Sequence, residues 1–368
     1  MADCSNRESP RHLRVGRRVD KRSRSSGNGV PAFASLVFHR ARLLTELNRG
    51  DEARTLLDQI LTGDRARLTR SGTNLLLNQR MMLSRNLNEF LRAAQREPAG
   101  FSDNSDERES PIEDKEAAEF TRGAKLFFDA DAATIFNKQM PVSIWADAAR
   151  SDLLPASLHR NVAQATFMRA ALTDRAAVAN ETANIVAAAY PQAKELLTAY
   201  QRATTPDARR FAAAHLALKF PGFRPFVTFG VGRGTDIAEI DSYRDNWWCA
   251  EPPASYGGYF SDGDDATKKQ TPPPEFLKPA QAAAEREVAL VQSLGPGPNY
   301  LAQTVINWAT KNPTDRRVPE ALHLAVKSTR YGCTDKDTGR WSKAAFDLLH
   351  RKYPNTSWAK ETPYWFKG

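Results

Sequence analysis

From Pro31 to about Gln95 apolar side chains recur three and four residues apart, beginning with Phe33, Leu36, Val37, Ala41, Leu44 and Leu47. That spacing draws one oily stripe down a helix. Asn48, Arg49 and Gly50 interrupt the stripe, and Ala53, Leu56, Leu57, Ile60 and Leu61 resume it. The pattern predicts two short helices joined by a turn, an αα-hairpin. A third helix is expected through Leu75, Leu76, Leu77, Met81, Met82, Leu83, Leu87, Phe90 and Leu91, with its paired methionines filling gaps in a core. Helical spacing returns over 114–126, 130–137, 141–150, 155–172, 175–189, 192–203 and 206–219. It comes back a last time over 280–294, 299–310, 318–331 and 341–353, with a short piece near Trp358.

The punctuation between these stretches agrees with the pattern. Thr205 directly before Pro206 is a favourable cap followed by proline at the first helical position. Gly295 to Pro298, Asn312 with Pro313, and Pro354 with Asn355 are strong helix stops. Alanines at 170, 171, 176, 177 and 187–189 let helix axes approach closely. Two stretches break the period. Residues 97–119 are polar and acidic and read as a linker, whereas 221–279 are rich in proline, glycine and aromatic residues and read as an irregular insert. The expected organisation is a basic tail over 1–30, a helical repeat block over 31–96, the acidic linker over 97–119, a central helical block over 120–220, the aromatic insert over 221–279, and a C-terminal helical repeat block over 280–368. The fold class expected is all-α, built of stacked antiparallel helix pairs.

Two pieces resemble the tetratricopeptide repeat, a helix-turn-helix unit that stacks into an α-solenoid. In the first, Ala41 and Leu44 on one helix are followed by Ala53, Leu57 and Ile60 on the next, with Gly50, Asp51 and Glu52 in the turn. In the second, Ser342, Phe346 and Leu349 lie on an inner face and Tyr353 and Pro354 end the helix. Upstream of that piece Gly332 to Gly339 form a polar loop where the family has a tight turn. The middle of the chain supports helix stacking without a clean 34-residue period. The run from Tyr243 to Cys249 and the ending Thr362 to Phe366 are similar to features of bacterial helical-repeat proteins. What the resemblance implies is a scaffold that presents a concave surface to peptides or protein segments.

Composition narrows the function classes. The chain has 368 residues, 41% of them hydrophobic and 26% charged, with a formal net charge of +9. No stretch reaches the roughly 18 to 20 apolar residues that a membrane-spanning helix needs. The charge is uneven: residues 1–30 hold eight Arg and Lys against three acids, and residues 97–119 hold nine acids against Arg108 and Lys115. Only the tail is dense in arginine, and it lacks the aromatics that stack on bases, so nucleic acid is not the expected partner. The tail also lacks an apolar segment leading to a cleavage-like site, so the chain as it stands reads as cytoplasmic. Cys249 and Cys333 fit a reducing compartment as free thiols, or form one disulfide in an exported, cell-envelope or periplasmic protein.

The candidate chemistry is sparse. Gly230, Gly232 and Gly234 beside Arg233 lack the spacing of a dinucleotide loop and the Lys-Ser/Thr of a phosphate loop. Arg108 stands where a calcium loop starting at Asp103 needs glycine, and Pro273 stands where one starting at Asp262 needs a carboxylate. Cys333 with His323 or His350 is the one nucleophile-base pairing worth naming, and no cysteine or histidine pair has zinc spacing. No catalytic, cofactor or metal residue is therefore assigned. Tyr243, Arg244, Trp247 and Trp248 are the candidate partner-binding residues, since rings combine large apolar area with few rotatable bonds. The same rings would equally anchor the insert onto the helices. The expected function is a non-enzymatic protein-interaction or scaffold module with a protein or peptide partner. The alternative is a hydrolase or ligand-binding enzyme with the insert as a lid over an inter-helix pocket.

Overall fold

The computed structural model describes residues 32–102, 109–111, 125–230, 237–238, 248, 272–331 and 333–367. The described chain is mostly helical, an all-α fold with only short strands. It divides into two compact units, one of Met1–Asp129 with Pro273–Phe276 and one of Ala130–Pro272 with Leu277–Gly368.

In the first unit, α1 (Phe33–Glu46) and α2 (Gly50–Gly63) form the expected hairpin. Asn48 turns the chain at φ 58°, a left-handed conformation that asparagine tolerates better than most residues. Ala41 and Ala53 are fully buried, so the two backbones come together where neither residue carries bulk. α1 and α2 both pack on α3 (Arg70–Met82), and Val37, Leu44, Leu57 and Leu76 fill the space among them. Leu43 and Leu56, at the edge of this core, are only partly covered. At Gly72 a β-carbon would stand 3.0 Å from the Ala34 methyl, so glycine sets how closely α1 and α3 approach. The third helix is not continuous. The Asn86 side chain accepts the Glu89 N–H at 2.9 Å and starts a separate α4 (Leu87–Ala93), because a cap that satisfies an orphan donor competes with helix continuation. Arg80 spans the break, donating to Asp58 at 2.6 Å and to Glu89 at 3.0 Å.

Beyond α4 the helical period is silent, yet the backbone pairs. β1 (Gln95–Arg96) runs antiparallel to β4 (Phe127–Phe128), and β2 (Gly100–Ser102) to β3 (Glu109–Pro111). The expected helix over 114–126 lies outside the described residues except at Lys125 and Leu126, which are not helical. Arg96, 2% exposed, donates from Nε to Asp129 at 2.6 Å and so ties the first strand pair.

The second unit opens with α5 (Ala130–Thr134), which runs into one turn of π-helix, Ile135–Gln139. Then follow α6 (Val142–Ala149), α7 (Ala156–Leu172), α8 (Ala176–Ala189), α9 (Lys194–Arg202) and α10 (Pro206–Lys219). Each packs on the next, and α6 also reaches α8 while α7 reaches α10. Thr205 caps α10 as its sequence predicts, accepting the Ala208 N–H at 3.2 Å. The remaining helices are α11 (Gln281–Ser293), α12 (Gly297–Lys311), α13 (Val318–Ser328), α14 (Thr338–Lys352) and α15 (Ser357–Lys360). α12 packs on α13 and both pack on α14, while α10 touches α12 and α13. Gly339 lies in the first turn of α14, so the polar loop before that helix is shorter than its composition suggests.

α7 is the centre of this unit, buried on every side from Val162 to Leu172. A helix without a polar face must have its polar atoms answered by neighbours. Gln164 accepts the Arg224 N–H at 2.8 Å, and Asn161 accepts from the Thr228 N–H and donates to its carbonyl. From the π turn, Asn137 pairs with the Val227 N–H and carbonyl in the same way, both at 2.9 Å. These amides stand in for a neighbouring strand and hold the extended segment after α10, whose Phe223, Phe226 and Val227 are buried. Arg169, 1% exposed, lies 4.7 Å over the Trp145 ring and 4.0 Å from Glu287. Burial pushes its pKa down to about 10, partly opposed by that carboxylate. Glu287 in turn accepts the Val142 N–H at 2.7 Å, one of the orphan donors at the start of α6.

Leu57 is fully buried at the meeting point of the first three helices. Leu57→Ala is expected to cost about 2 to 5 kcal/mol of the first unit's stability, read by chemical denaturation. The exposed Leu47→Ala should change it little, and equal losses would contradict the core assignment.

Candidate functional site

Three of the four candidate residues, Tyr243, Arg244 and Trp247, lie outside the described residues. The fourth, Trp248, is 3% exposed and packs edge-on against Tyr300 of α12, ring centres 6.0 Å apart. Its carbonyl accepts the Gly297 N–H at 2.9 Å, and a β-carbon at Gly297 would stand 2.6 Å from its ring. Trp248 therefore fixes the start of α12, and the missing side chain at Gly297 is the socket it fits.

The nucleophile pairing does not assemble. Cys333 is disulfide-bonded, and the other cysteines, Cys4 and Cys249, lie outside the described residues. His323 Nδ1 pairs with the Thr362 hydroxyl at 2.7 Å and His350 Nε2 with the Thr362 carbonyl at 2.9 Å, so both rings hold the chain end against α13 and α14. Burial pushes the His323 imidazole below its ordinary pKa. The C-terminal run is bound further by Arg330 on the Tyr364 carbonyl at 2.8 Å, by Ser342 accepting the Phe366 N–H at 3.0 Å, and by the partly buried Phe346 against Trp365. One histidine does meet a carboxylate. His215, 2% exposed on α10, is 2.9 Å from Glu320, whose other oxygen takes Lys219 at 2.8 Å. No hydroxyl or thiol stands on its Nδ1, which has no hydrogen-bond partner, so the pair is a hydrogen-bonded clasp between α10 and α13. Among the described residues no group of three His, Cys, Asp or Glu is placed to hold a metal ion.

A concavity lies elsewhere in the second unit, an open cavity of about 910 Å³. One wall is α9. Its Leu197 and Tyr200 are buried, while Lys194, Glu195, Thr198 and Arg202 present the opposite face to the cavity. The facing wall is Trp308 near the end of α12 and Arg317 just before α13. Sequence periodicity marks all of these only as ordinary members of polar faces and helix ends.

The Trp308 wall is rigid. Its indole stacks on buried Phe211 of α10, centres 5.1 Å apart and planes 11° from parallel, and donates Nε1–H to Asp315 at 2.9 Å. Arg317 grips the same carboxylate with Nε at 3.0 Å and Nη2 at 2.6 Å, and its guanidinium sits 4.9 Å over Phe211. Burial raises the Asp315 pKa, but the hydrogen bonds from Arg317 and Trp308 outweigh it and hold the carboxyl down at about 2. On the layer behind, the His215 hydrogen bond leads in holding Glu320 down at about 2, against the opposing effect of burial and with Lys219 adding to it. By contrast Lys194 and Arg202 make no ion pair or hydrogen bond among the described residues. A fixed aromatic edge beside a held guanidinium, facing two uncommitted cations, is an arrangement that can bind an extended polypeptide carrying an apolar side chain.

Compared with known proteins, the chain matches no protein-family model, no curated protein and no solved structure. No helix among the described residues is long and apolar enough to cross a membrane.

Asp315 and Glu320 both have folded pKa values below those of an unfolded chain, so their stabilisation is complete above about pH 5 and is lost as pH falls through about 2. Thermal melts should show the second unit weakening across that window, and Asp315→Asn should remove about 2 kcal/mol at pH 7 and flatten the acid limb. An unchanged acid limb in the variant would show that Asp315 does not hold this wall.

Proposed function

We propose that the protein is a helical-repeat interaction module, similar in construction to tetratricopeptide-repeat proteins, that binds an extended protein segment in the groove between α9 and the Trp308 wall. The observation that carries this reading is the groove itself, about 910 Å³ and walled by an open helix face on one side and a preorganised tryptophan on the other. The helix neighbours support the repeat construction, since α1, α2 and α3 contact one another pairwise and so do α12, α13 and α14. That is the arrangement of one helical hairpin followed by the first helix of the next. The exposed cationic and aromatic groups of the groove suit adhesion rather than bond-breaking. The disulfide at Cys333 favours an oxidising compartment for this module, the cell envelope rather than the cytoplasm.

The test is to select peptides from a random display library on the protein and to measure each selected sequence against Thr198→Trp. That substitution fills the groove from the half-exposed face of α9 without touching the buried Leu197 and Tyr200. Peptides that bind the unaltered protein and lose about tenfold or more in affinity for the variant are expected. Selection of nothing, or of peptides indifferent to the substitution, would remove this function.

A further inference from the structure

We propose that the groove selects acidic segments, with Lys194 and Arg202 as its specificity-determining residues; this rests on the reading of the groove as a polypeptide-binding site. Of the charged groups that line it, Arg317 is already neutralised by two hydrogen bonds to Asp315. Lys194 and Arg202 have no such partner among the described residues, and Glu195 is the lone carboxylate on the same helix face. Arg202 stands eight positions after Lys194, a separation of just over two helical turns, about 12 Å along the axis. Two cations that far apart on one face match carboxylates three to four residues apart on an extended chain, which rises about 3.3 Å per residue.

The apolar component of the partner follows from the other wall. Trp308 is stacked on Phe211 and hydrogen-bonded to Asp315, so it loses little conformational freedom when a side chain packs on its exposed edge. The Nη1 of Arg317 makes no hydrogen bond among the described residues and lies beside it as a further donor. The ligand class is therefore an extended peptide with an apolar or aromatic residue set between acidic ones, such as Asp-x-Phe-x-Glu. Selection by charge of this kind shows in association rate and salt dependence as well as in affinity.

The experiment uses three fluorescein-labelled twelve-residue peptides with the same central phenylalanine, flanked by Asp and Glu, by Ser and Gln, or by Lys. Binding to the full chain is followed by fluorescence anisotropy at about 50 and about 300 mM salt, well apart in screening length. The acidic peptide should bind about tenfold or more tightly than the neutral one, weaken with salt, and lose that preference in Lys194→Glu/Arg202→Glu, which should favour the basic peptide instead. Both residues are exposed, so the variant keeps its fold, checked by its melting temperature. Equal binding of all three peptides, abolished by Thr198→Trp, would overturn acidic selection and leave the interaction module standing. Acidic binding that the charge reversal does not change would likewise overturn the role of these two residues. Failure of every peptide, together with an empty display selection, would overturn both readings.

Discussion

The whole molecule depends on helices burying one stripe against another at distances that alanine and glycine permit. Ala41 against Ala53 in the first unit, and Ala163, Ala165 and Ala170 along α7 in the second, are all fully covered. Side chains this small let the backbones approach, and the larger residues around them, Leu57 in one unit and Phe167 and Phe211 in the other, are fully buried. Hydrophobic area then does the stabilising, and the polar groups that come along must be answered one by one.

How they are answered explains the irregular parts. From Val162 onward α7 has no solvent face, and Gln164 there, with Asn161 just ahead of that stretch, takes the backbone of the segment after α10 as its partner, while Asn137 meets it from the π turn. That segment needs no helix or sheet of its own because side-chain amides supply its hydrogen bonds. Arg169 is a buried cation. It lies on Trp145 and near Glu287, its Nε and Nη2 make no hydrogen bond, and burial lowers its pKa.

The groove is what remains where this burial stops. α9 gives Leu197 and Tyr200 to the core and keeps its other face open, and the stack of Trp308 on Phe211 ends at the same opening. Asp315 joins the two requirements, since the carboxylate that fixes Trp308 also fixes Arg317. Trp308 and Arg317 are thus held by one carboxylate, while Lys194 and Arg202 across the opening make no ion pair or hydrogen bond among the described residues.

Apolar periodicity alone determined most helices, including the hairpin at Asn48 and the cap at Thr205, because a stripe repeating every 3.6 residues and an unsatisfied N–H at a helix start are local properties of the chain. It missed the break at Asn86, where one side-chain hydrogen bond overrode a continuous oily stripe, and the short strand pairs after α4, whose strands of two or three residues are too short to show a two-residue period. It also drew attention to Trp248, whose ring turns out to be spent on the Gly297 socket. The groove was hidden for a different reason. Lys194 and Arg202 read as ordinary solvated residues, and Trp308 and Arg317 lie more than a hundred residues further on. Only packing α10 between them brings the open face of α9 opposite the tryptophan, since which polar face meets empty space and which meets a wall is set by long-range contacts.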